Sequence, residues 1–375
     1  MGANFASRIV STPSLSSIAA TLPETVPFVG PEAIERQSGR PFEARLGANE
    51  SPFGPSPKAL AAMAAAATDS WKYGDPENHG LREAIAAFHG CQPNQVMAGP
   101  GVDALLGLTV RLYAEPGRVV VNALGGYPTL NYHIAGYGAR LETVPYKGFG
   151  TDLEGLANAA RAHDAAIVYL ANPDNPMGSW HSADQVSAFI DAVPESTLII
   201  LDEAYGEFAE HTRPPLSFDR PNLVRMRTFS KAYGLAGARV GYVLGAEHLV
   251  GPFNRVRDHF GVSNIAQAGA IAALADQDYL QSVVARTQIA KERIAAIARA
   301  NGMIPLPSAT NFVTIDTGRD ARFAVGIVGE LAKLGVFIRK PGAAGLDHCI
   351  RISVGNDAAL DLLQAKLPLA IAALS

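Results

Sequence analysis

Short apolar runs alternate with longer runs of helical spacing through the middle of the chain. The short runs are 118–123 (RVVVNA), 165–173 (AAIVYLANP), 196–205 (STLIILDEAY), 223–230 (LVRMRTFS) and 239–245 (RVGYVLG). Rich in β-branched and aliphatic residues and bounded by Gly, Pro or Asp, they predict strands. Several are apolar almost throughout rather than alternating, as in strands covered on both faces by helices of a mostly parallel sheet. Among the longer runs, SPKALAAMAAAAT offers Ser56 as an N-cap and Pro57 at the first helical position, where a missing N–H costs least. HSADQVSAFIDAV carries Ser182 and, three residues on, Gln185, a capping box ahead of an apolar run. Strands alternating with helices predict an α/β fold.

Near residue 250 the pattern changes. Two long helices, 264–275 and 278–300, are followed by strands in NFVTID, VFIRK and HCIRISVG among further helices, which predicts a second, smaller α+β unit. The first 45 residues are rich in Pro and Ser and predict an extended arm with one short helix near PEAIERQ, packing with the smaller unit. The expected division is therefore an arm over 1–45, a large domain over 46–250 and a small domain over 251–375. At 375 residues the chain exceeds the size at which one core usually stops growing, which agrees with two units. With 48% hydrophobic and only 18% charged residues, a packed interior is expected rather than disorder. No internal repeat is visible.

Charge and cysteine content narrow the function classes. The formal net charge is −4, with basic and acidic residues mixed and no polybasic stripe, which argues against a nucleic-acid partner. The two cysteines, Cys91 and Cys349, are far apart and show no CxxC or Cys/His ligand spacing, so neither a disulfide framework nor a metal site is expected, and a reducing compartment fits. Near the N-terminus Arg8 is followed by apolar residues broken by Ser, Thr and Pro, not by a signal-peptide core. No run approaches the ~18 apolar residues of a membrane span, so a cytoplasmic protein without membrane contact is expected.

Polar residues gather at the ends of the predicted strands, where open α/β sheets bind ligands. They lie in NPDNPMG (172–178), LDEAY (201–205) and TFSKAYGLAGARVGY (228–242). Alone, Asp202 is an ordinary turn residue and Lys231 one more among 31 basic residues. In order, an Asn turn, an acid with Tyr three residues later, Ser-Lys and then Arg form a far less common set. On these residues the chain resembles the fold-type I pyridoxal-phosphate (PLP) enzymes, specifically the class I/II aminotransferases. It is most similar to their histidinol-phosphate aminotransferase branch, whose LSKAFGLAGLRIGY is mirrored by residues 229–242 and whose N-A-N-E-N-P-Y-G-P-S-P is mirrored by GANESPFGPSP (47–57). The resemblance runs from about Pro27 to near Gly355.

That resemblance implies a role for each residue. Lys231 is the Schiff-base lysine and the base that moves a proton to and from the substrate's Cα. Asp202 pairs with the pyridine nitrogen and keeps it protonated. Asn175 and Tyr205 hydrogen-bond the ring's phenolic oxygen, and Tyr127 in GGYPT stacks on its face. The run GPGVDALL sets a turn before a helix, so the amides of Val102 and Asp103 can point at an anion; Ser230 and Arg239 add a hydroxyl and a guanidinium on the same phosphate. Tyr73 in KYGDP matches the tyrosine that reaches the neighbouring subunit's phosphate, which implies a homodimer with shared sites. Arg351 matches the arginine that clamps an α-carboxylate or the equivalent anionic end, and Arg339 one associated with a distal phosphate, with a surface ion pair as its alternative. Asn311 sits in a family-like NFV strand as a backbone support.

Some positions depart from the family pattern. Pro100-Gly101-Val102-Asp103-Ala104 stands where Asn-Gly-Ser-Asp-Glu is usual, Met177 replaces the threonine of NPTG, and Phe53 lacks the hydroxyl of NPYG. The expected activity is amino transfer between histidinol phosphate or an L-amino acid and 2-oxoglutarate by a ping-pong cycle. The alternatives are a broad aromatic aminotransferase and a decarboxylase of the threonine-phosphate type. A PLP-sensing regulator would need a basic helix-turn-helix region, and none is visible.

Overall fold

The computed structural model describes residues 13–24 and 29–374, so the first twelve residues of the expected arm lie outside the described residues. Strand β1 (Ala44–Arg45) is followed by β2 (Val96–Gly99), β3 (Val119–Ala123), β4 (Arg140–Val144), β5 (Ile167–Ala171), β6 (Leu198–Asp202), β7 (Leu223–Thr228) and β8 (Gly241–Gly245). Toward the C-terminus come β9 (Ile304–Pro305), β10 (Phe312–Asp316), β11 (Val336–Phe337) and β12 (Cys349–Ser353).

Seven of these build one sheet in the order β2-β8-β7-β6-β5-β3-β4, and β8 alone runs against its neighbours. The expected mostly parallel, helix-covered sheet is present. Its faces alternate residue by residue: Val120, Ile167 and Ile200 pack with the helices Val102–Tyr113 and Pro128–Gly136, while Val121, Val168 and Ile199 pack with Leu153–Ala162 and Ala183–Ala192. Both faces are buried, which is why these strands read as continuous apolar runs. Ser56 and Ser182 cap their helices as expected, Ser182 within a complete capping box.

Four strands escaped the sequence reading, among them the two-residue β1 and β9. β2 is only four residues long, and β4, at the sheet edge, has the polar composition RLETV. All eight expected strands are shorter than the runs that predict them. β7 ends at Thr228, β8 begins at Gly241 because Arg239 takes a left-handed backbone (φ 55°), and β11 stops at Phe337. Beyond β11 the chain pairs with β12 through the bridge between Arg339 and Arg351.

The second core joins the helices Gln277–Ala300, Ala321–Lys333 and Asp357–Ala372 to β10 and β12. The helix Asn264–Leu274 is not part of it. Its Ala266, Ala270 and Ala273 pack with Ala59, Leu81 and Ile85 from the helices Pro57–Ala67 and His79–His89 of the sheet-bearing unit. We therefore place the division between the units after this helix rather than at residue 250. The arm touches both units: β1 pairs with β11 of the smaller one, while Ile18 lies against Gly138 of the larger.

Behind the sheet lies a buried charge cluster. Arg225 and Arg227 alternate with Met226 on β7 and so share a face. Both donate to Glu203, Arg225 through Nε at 3.0 Å and Nη2 at 2.5 Å, Arg227 through Nε at 3.0 Å. The two guanidinium groups hold the Glu203 carboxyl down at about 2 against the effect of burial. Replacing Glu203 by Ala leaves both cations uncompensated, and urea titration is expected to show a loss of about 3–5 kcal/mol. A loss below about 1 kcal/mol would mean that the carbonyls of Pro214 and Pro215, which also accept from Arg225, suffice.

Candidate functional site

The carboxyl ends of β3, β5, β6 and β7 open onto a cleft of about 870 Å³, and the reversed strand β8 begins at the same edge. That reversal explains how Arg239, just before β8, joins Ser230, just after β7. One wall is suited to an anion. The helix Val102–Tyr113 starts at Gly101 with no side-chain cap, so its first amides and dipole face the cleft. Gly101 has φ 86°, and a Cβ there would lie 2.5 Å from Arg239 Nη2, so glycine is needed for the guanidinium to approach the helix start. Arg239 Nη2 is 3.8 Å from Asp103 Oδ2, and its Nη1 donates to the Ala236 carbonyl at 3.2 Å. Ser230 is buried at this wall, its N–H donating to Thr228 Oγ1 at 3.0 Å.

Asp202 ends β6 on the cleft floor. Its carboxylate accepts the Tyr169 hydroxyl at 2.7 Å and the Ala204 N–H at 2.9 Å, and burial raises its pKa to about 6. Tyr169 was not singled out in the sequence because it lies inside an apolar strand and reads as core. Lys231 faces the floor. Burial, with Arg351 next in weight, lowers its pKa to about 8, and Nζ donates to the Asn49 carbonyl at 3.1 Å.

Asn49 is the second residue that sequence reasoning missed, although it lies within GANESPFGPSP. Its backbone is left-handed (φ 57°), which Asn tolerates better than most residues. Its Nδ2 donates to Tyr205 Oη at 3.0 Å, its Oδ1 accepts the Ser353 hydroxyl at 2.7 Å, and its carbonyl also accepts Asn311 Nδ2 at 3.0 Å. One side chain thus ties the larger unit to β12 of the smaller. The expected backbone support from Asn311 is present in this contact.

The remaining residues divide. Asn175 was expected beside Tyr205 at a phenolic oxygen. Its Oδ1 instead accepts Arg351 Nη1 at 2.5 Å, because Arg351 reaches across from β12 and also donates to the Gly47 carbonyl at 3.2 Å. Tyr127 lines the cleft, with its hydroxyl donating to Asp103 Oδ1 at 2.5 Å. Arg339 lies opposite Arg351, donates from Nη2 to the Val29 carbonyl at 2.7 Å, and has its pKa lowered to about 10 by burial and then by Arg351. Tyr73 does not line this chain's cleft. It is 81% exposed and stacked on Phe260 with centroids 4.6 Å apart. Away from the cleft, strand register sets Asp316 opposite Cys349 and brings His348 beside them, with ligand atoms within 4.8 Å of one another. Cysteine spacing along the chain cannot reveal such a cluster.

The family model described as aminotransferase class I and II matches residues 44–367. The chain is 39% identical over 361 residues to a histidinol-phosphate aminotransferase of Roseiflexus castenholzii, covering 92% of this chain and 96% of that one. It is 36% identical over 330 residues to histidinol-phosphate aminotransferase 1 of Nitrosococcus oceani, covering 87% and 88%. Among solved structures, histidinol-phosphate aminotransferase from Sinorhizobium meliloti in complex with pyridoxal-5'-phosphate superposes with a TM-score of 0.95 at 52% identity, covering 98% of this chain and 100% of that one.

The lowered Lys231 pKa has a consequence for the protein freed of any cofactor. Folded and unfolded chains differ in protonation between about 8 and the ordinary 10.5, where the unfolded chain holds the extra proton. Stability relative to a Lys231→Met variant therefore rises as pH increases through that window. Urea titrations of both apoproteins at pH about 7 and about 10 check this. Parallel pH dependence in the two would contradict a buried, depressed amine.

Proposed function

Because the chain belongs to the class I and II aminotransferase family, we propose that this PLP-dependent enzyme transfers the amino group of histidinol phosphate to 2-oxoglutarate. The observation that carries this reading is the cleft itself. Lys231 and Asp202 lie on one side, and Arg339 and Arg351, on paired segments of the smaller unit, close the other. The substrate comes from the relatives named histidinol-phosphate aminotransferase, above all the 52% identical one.

The residues present fit the cofactor. A half-buried amine with depressed pKa, a buried carboxyl with raised pKa, and an uncapped helix start beside Ser230 and Arg239 are the donor set that a phosphorylated pyridine aldehyde requires. When bound, PLP supplies an aldehyde for amine exchange and a ring that draws electrons from the substrate's Cα. Lys231 would hold the cofactor through its amine and would be the base placed to take the proton from the substrate's Cα and to return it. Its depressed pKa makes an unprotonated amine available near neutral pH. Asp202, positioned by the Tyr169 hydroxyl, accepts a hydrogen bond from the ring nitrogen and keeps it protonated. Tyr205, braced by Asn49, serves the ring's phenolic oxygen, with Asn175 shared between that oxygen and Arg351. Tyr127 would face the ring, and the amides of Val102 and Asp103 with Ser230 and Arg239 would take the phosphate. Arg351, whose Nε is buried without a partner, takes a substrate carboxylate.

Exposed Tyr73 and Trp71 and half-exposed Phe260 form an aromatic surface suited to a second copy of this chain, and Tyr73 then completes the partner's phosphate site in a homodimer. No helix among the described residues is long and apolar enough to cross a membrane. Both cysteines are free, which fits a cytoplasmic setting.

Single additions of amino donors to the holoenzyme, followed by cofactor absorbance, test the reading. Histidinol phosphate is expected to convert the cofactor to its amine form at concentrations at least about tenfold below those needed with phenylalanine or tyrosine. Equal response to the aromatic amino acids would overturn the substrate assignment. An Asp202→Asn variant is expected to retain the cofactor and lose at least about a hundredfold in kcat; near-normal turnover would remove the role given to that carboxylate.

A further inference from the structure

A cluster of metal-binding side chains lies outside the cofactor's donor set, on the pair of strands that carries Arg351. In the antiparallel register of β10 and β12, Thr314 stands opposite Arg351 and Asp316 opposite Cys349. Positions two apart on a strand share a face, so Asp316 and Cys349 look the same way as Arg351, toward the larger unit. That face is seated on the turn 174–178. Thr314 Oγ1 donates to the Pro176 carbonyl at 2.6 Å, Arg351 reaches Asn175, and Cys349 packs with Met177 and Leu346. His348, just before β12, brings its ring beside Asp316.

A carboxylate, an imidazole and a thiol thus converge, with ligand atoms within 4.8 Å of one another. His348 Nε2 is 3.6 Å from Asp316 Oδ1, too long for a hydrogen bond. It is close to the ~3.3 Å that separates two nitrogen or oxygen ligands around a tetrahedral zinc ion. A sulfur and a lighter ligand stand ~3.5 Å apart around such an ion, so the thiol has to close by no more than about 1.3 Å. Asp316 Oδ1 also accepts the Gly318 N–H at 2.8 Å, an outer contact of the kind that orients a ligating carboxylate. The side chains of His348 and Asp316 remain 27% and 21% exposed, which gives an ion a way in, while buried Cys349 closes the inner end.

The local charge favours a cation. Burial, then Asp316 and Asp347, push the Cys349 thiol up to about 12, so without a metal it is neutral and unreactive. Lys340 weighs against these acids, but its ammonium is turned onto the Pro341 carbonyl at 2.8 Å. As the sulfur–metal bond forms, the thiol proton leaves to water, and thiolate and carboxylate together balance a divalent charge.

We propose that Asp316, His348 and Cys349 form a binding site for one divalent metal ion of the zinc class, with water as the fourth ligand. The mix of sulfur, nitrogen and oxygen donors favours zinc over magnesium or calcium, which take oxygen ligands. The ion ties β10 to the base of the segment that joins β11 to β12. Pro341, Gly342 and Ala343 of that segment line the cleft, and Ala343 lies against Gly125 of the larger unit. The site is thus a staple at the seam of the two units, independent of which amino donor the enzyme takes.

The test titrates zinc, against a competing chromogenic chelator, into the holoenzyme of wild type, Asp316→Asn and Cys349→Ser. Wild type is expected to bind one zinc per chain with Kd of about 1 μM or below. Its Tm is expected to rise by about 3 °C at a hundredfold excess of zinc over Kd. Each variant is expected to bind at least about tenfold more weakly and to lose that rise, and magnesium to produce neither effect in wild type. Should Cys349→Ser fail to fold, Asp316→Asn decides, because it changes a rim position and its amide oxygen can keep the Gly318 contact. A wild-type Kd weaker than about 100 μM, or equal binding by wild type and Asp316→Asn, would overturn the site. The cluster would then be a His–Asp ion pair beside a core cysteine.

Discussion

A partly desolvated primary amine without a carboxylate partner is held away from its charged form, and the cleft is organised around that constraint. Lys231 is half-buried in the cleft, has Arg351 as its second unfavourable influence, and among the described residues donates to a carbonyl, that of Asn49. A carboxylate in that place would have kept it a cation and useless as a base. The nearby acid, Asp202, is instead engaged by a tyrosine hydroxyl and a backbone N–H, and is itself pushed toward its neutral form. The two pKa values are thus driven toward one another, Lys231 to about 8 and Asp202 to about 6, the condition under which both can exchange protons near neutral pH.

Strand direction delivers these groups to one place. The carboxyl ends of β3, β5, β6 and β7 meet at the cleft edge, and the single reversal at β8 brings the start of that strand to the same edge, so residues on either side of the β7–β8 connection meet. Behind the sheet, Glu203 follows Asp202 directly and is locked by Arg225 and Arg227, which fixes the end of β6 from the side away from the chemistry. Asn49 performs the corresponding task between the two units. Its bonds to Tyr205, Ser353 and Asn311 and its carbonyl's contact with Lys231 make the arginines of β12 and its bridge partner part of the same rigid surface.

Much of this was legible along the chain because the physics is local. Buried parallel strands announce themselves as continuous apolar runs, and polar residues at their ends mark the ligand edge; Asp202, Lys231 and Arg239 stand out there only as an ordered set that resembles the family. Tyr169 and Asn49 do not stand out. The first hides among apolar strand residues, and the second acts through contacts between segments about 156 and 304 residues apart. The helix Asn264–Leu274 reads as the opening of the second unit because the composition changes there, yet its small alanine face packs back on the first. Pattern alone does not reveal which partner an alanine-rich face will choose. Polar edge strand β4 and four-residue β2 carry too little periodicity to be seen.

The most direct measurement is chemical. Reducing the holoenzyme with borohydride fixes the cofactor to whichever amine holds it, and digestion followed by mass spectrometry locates the modified residue. The account expects the label on Lys231 and its loss in Lys231→Ala. A label on another lysine, or none at all, would contradict it.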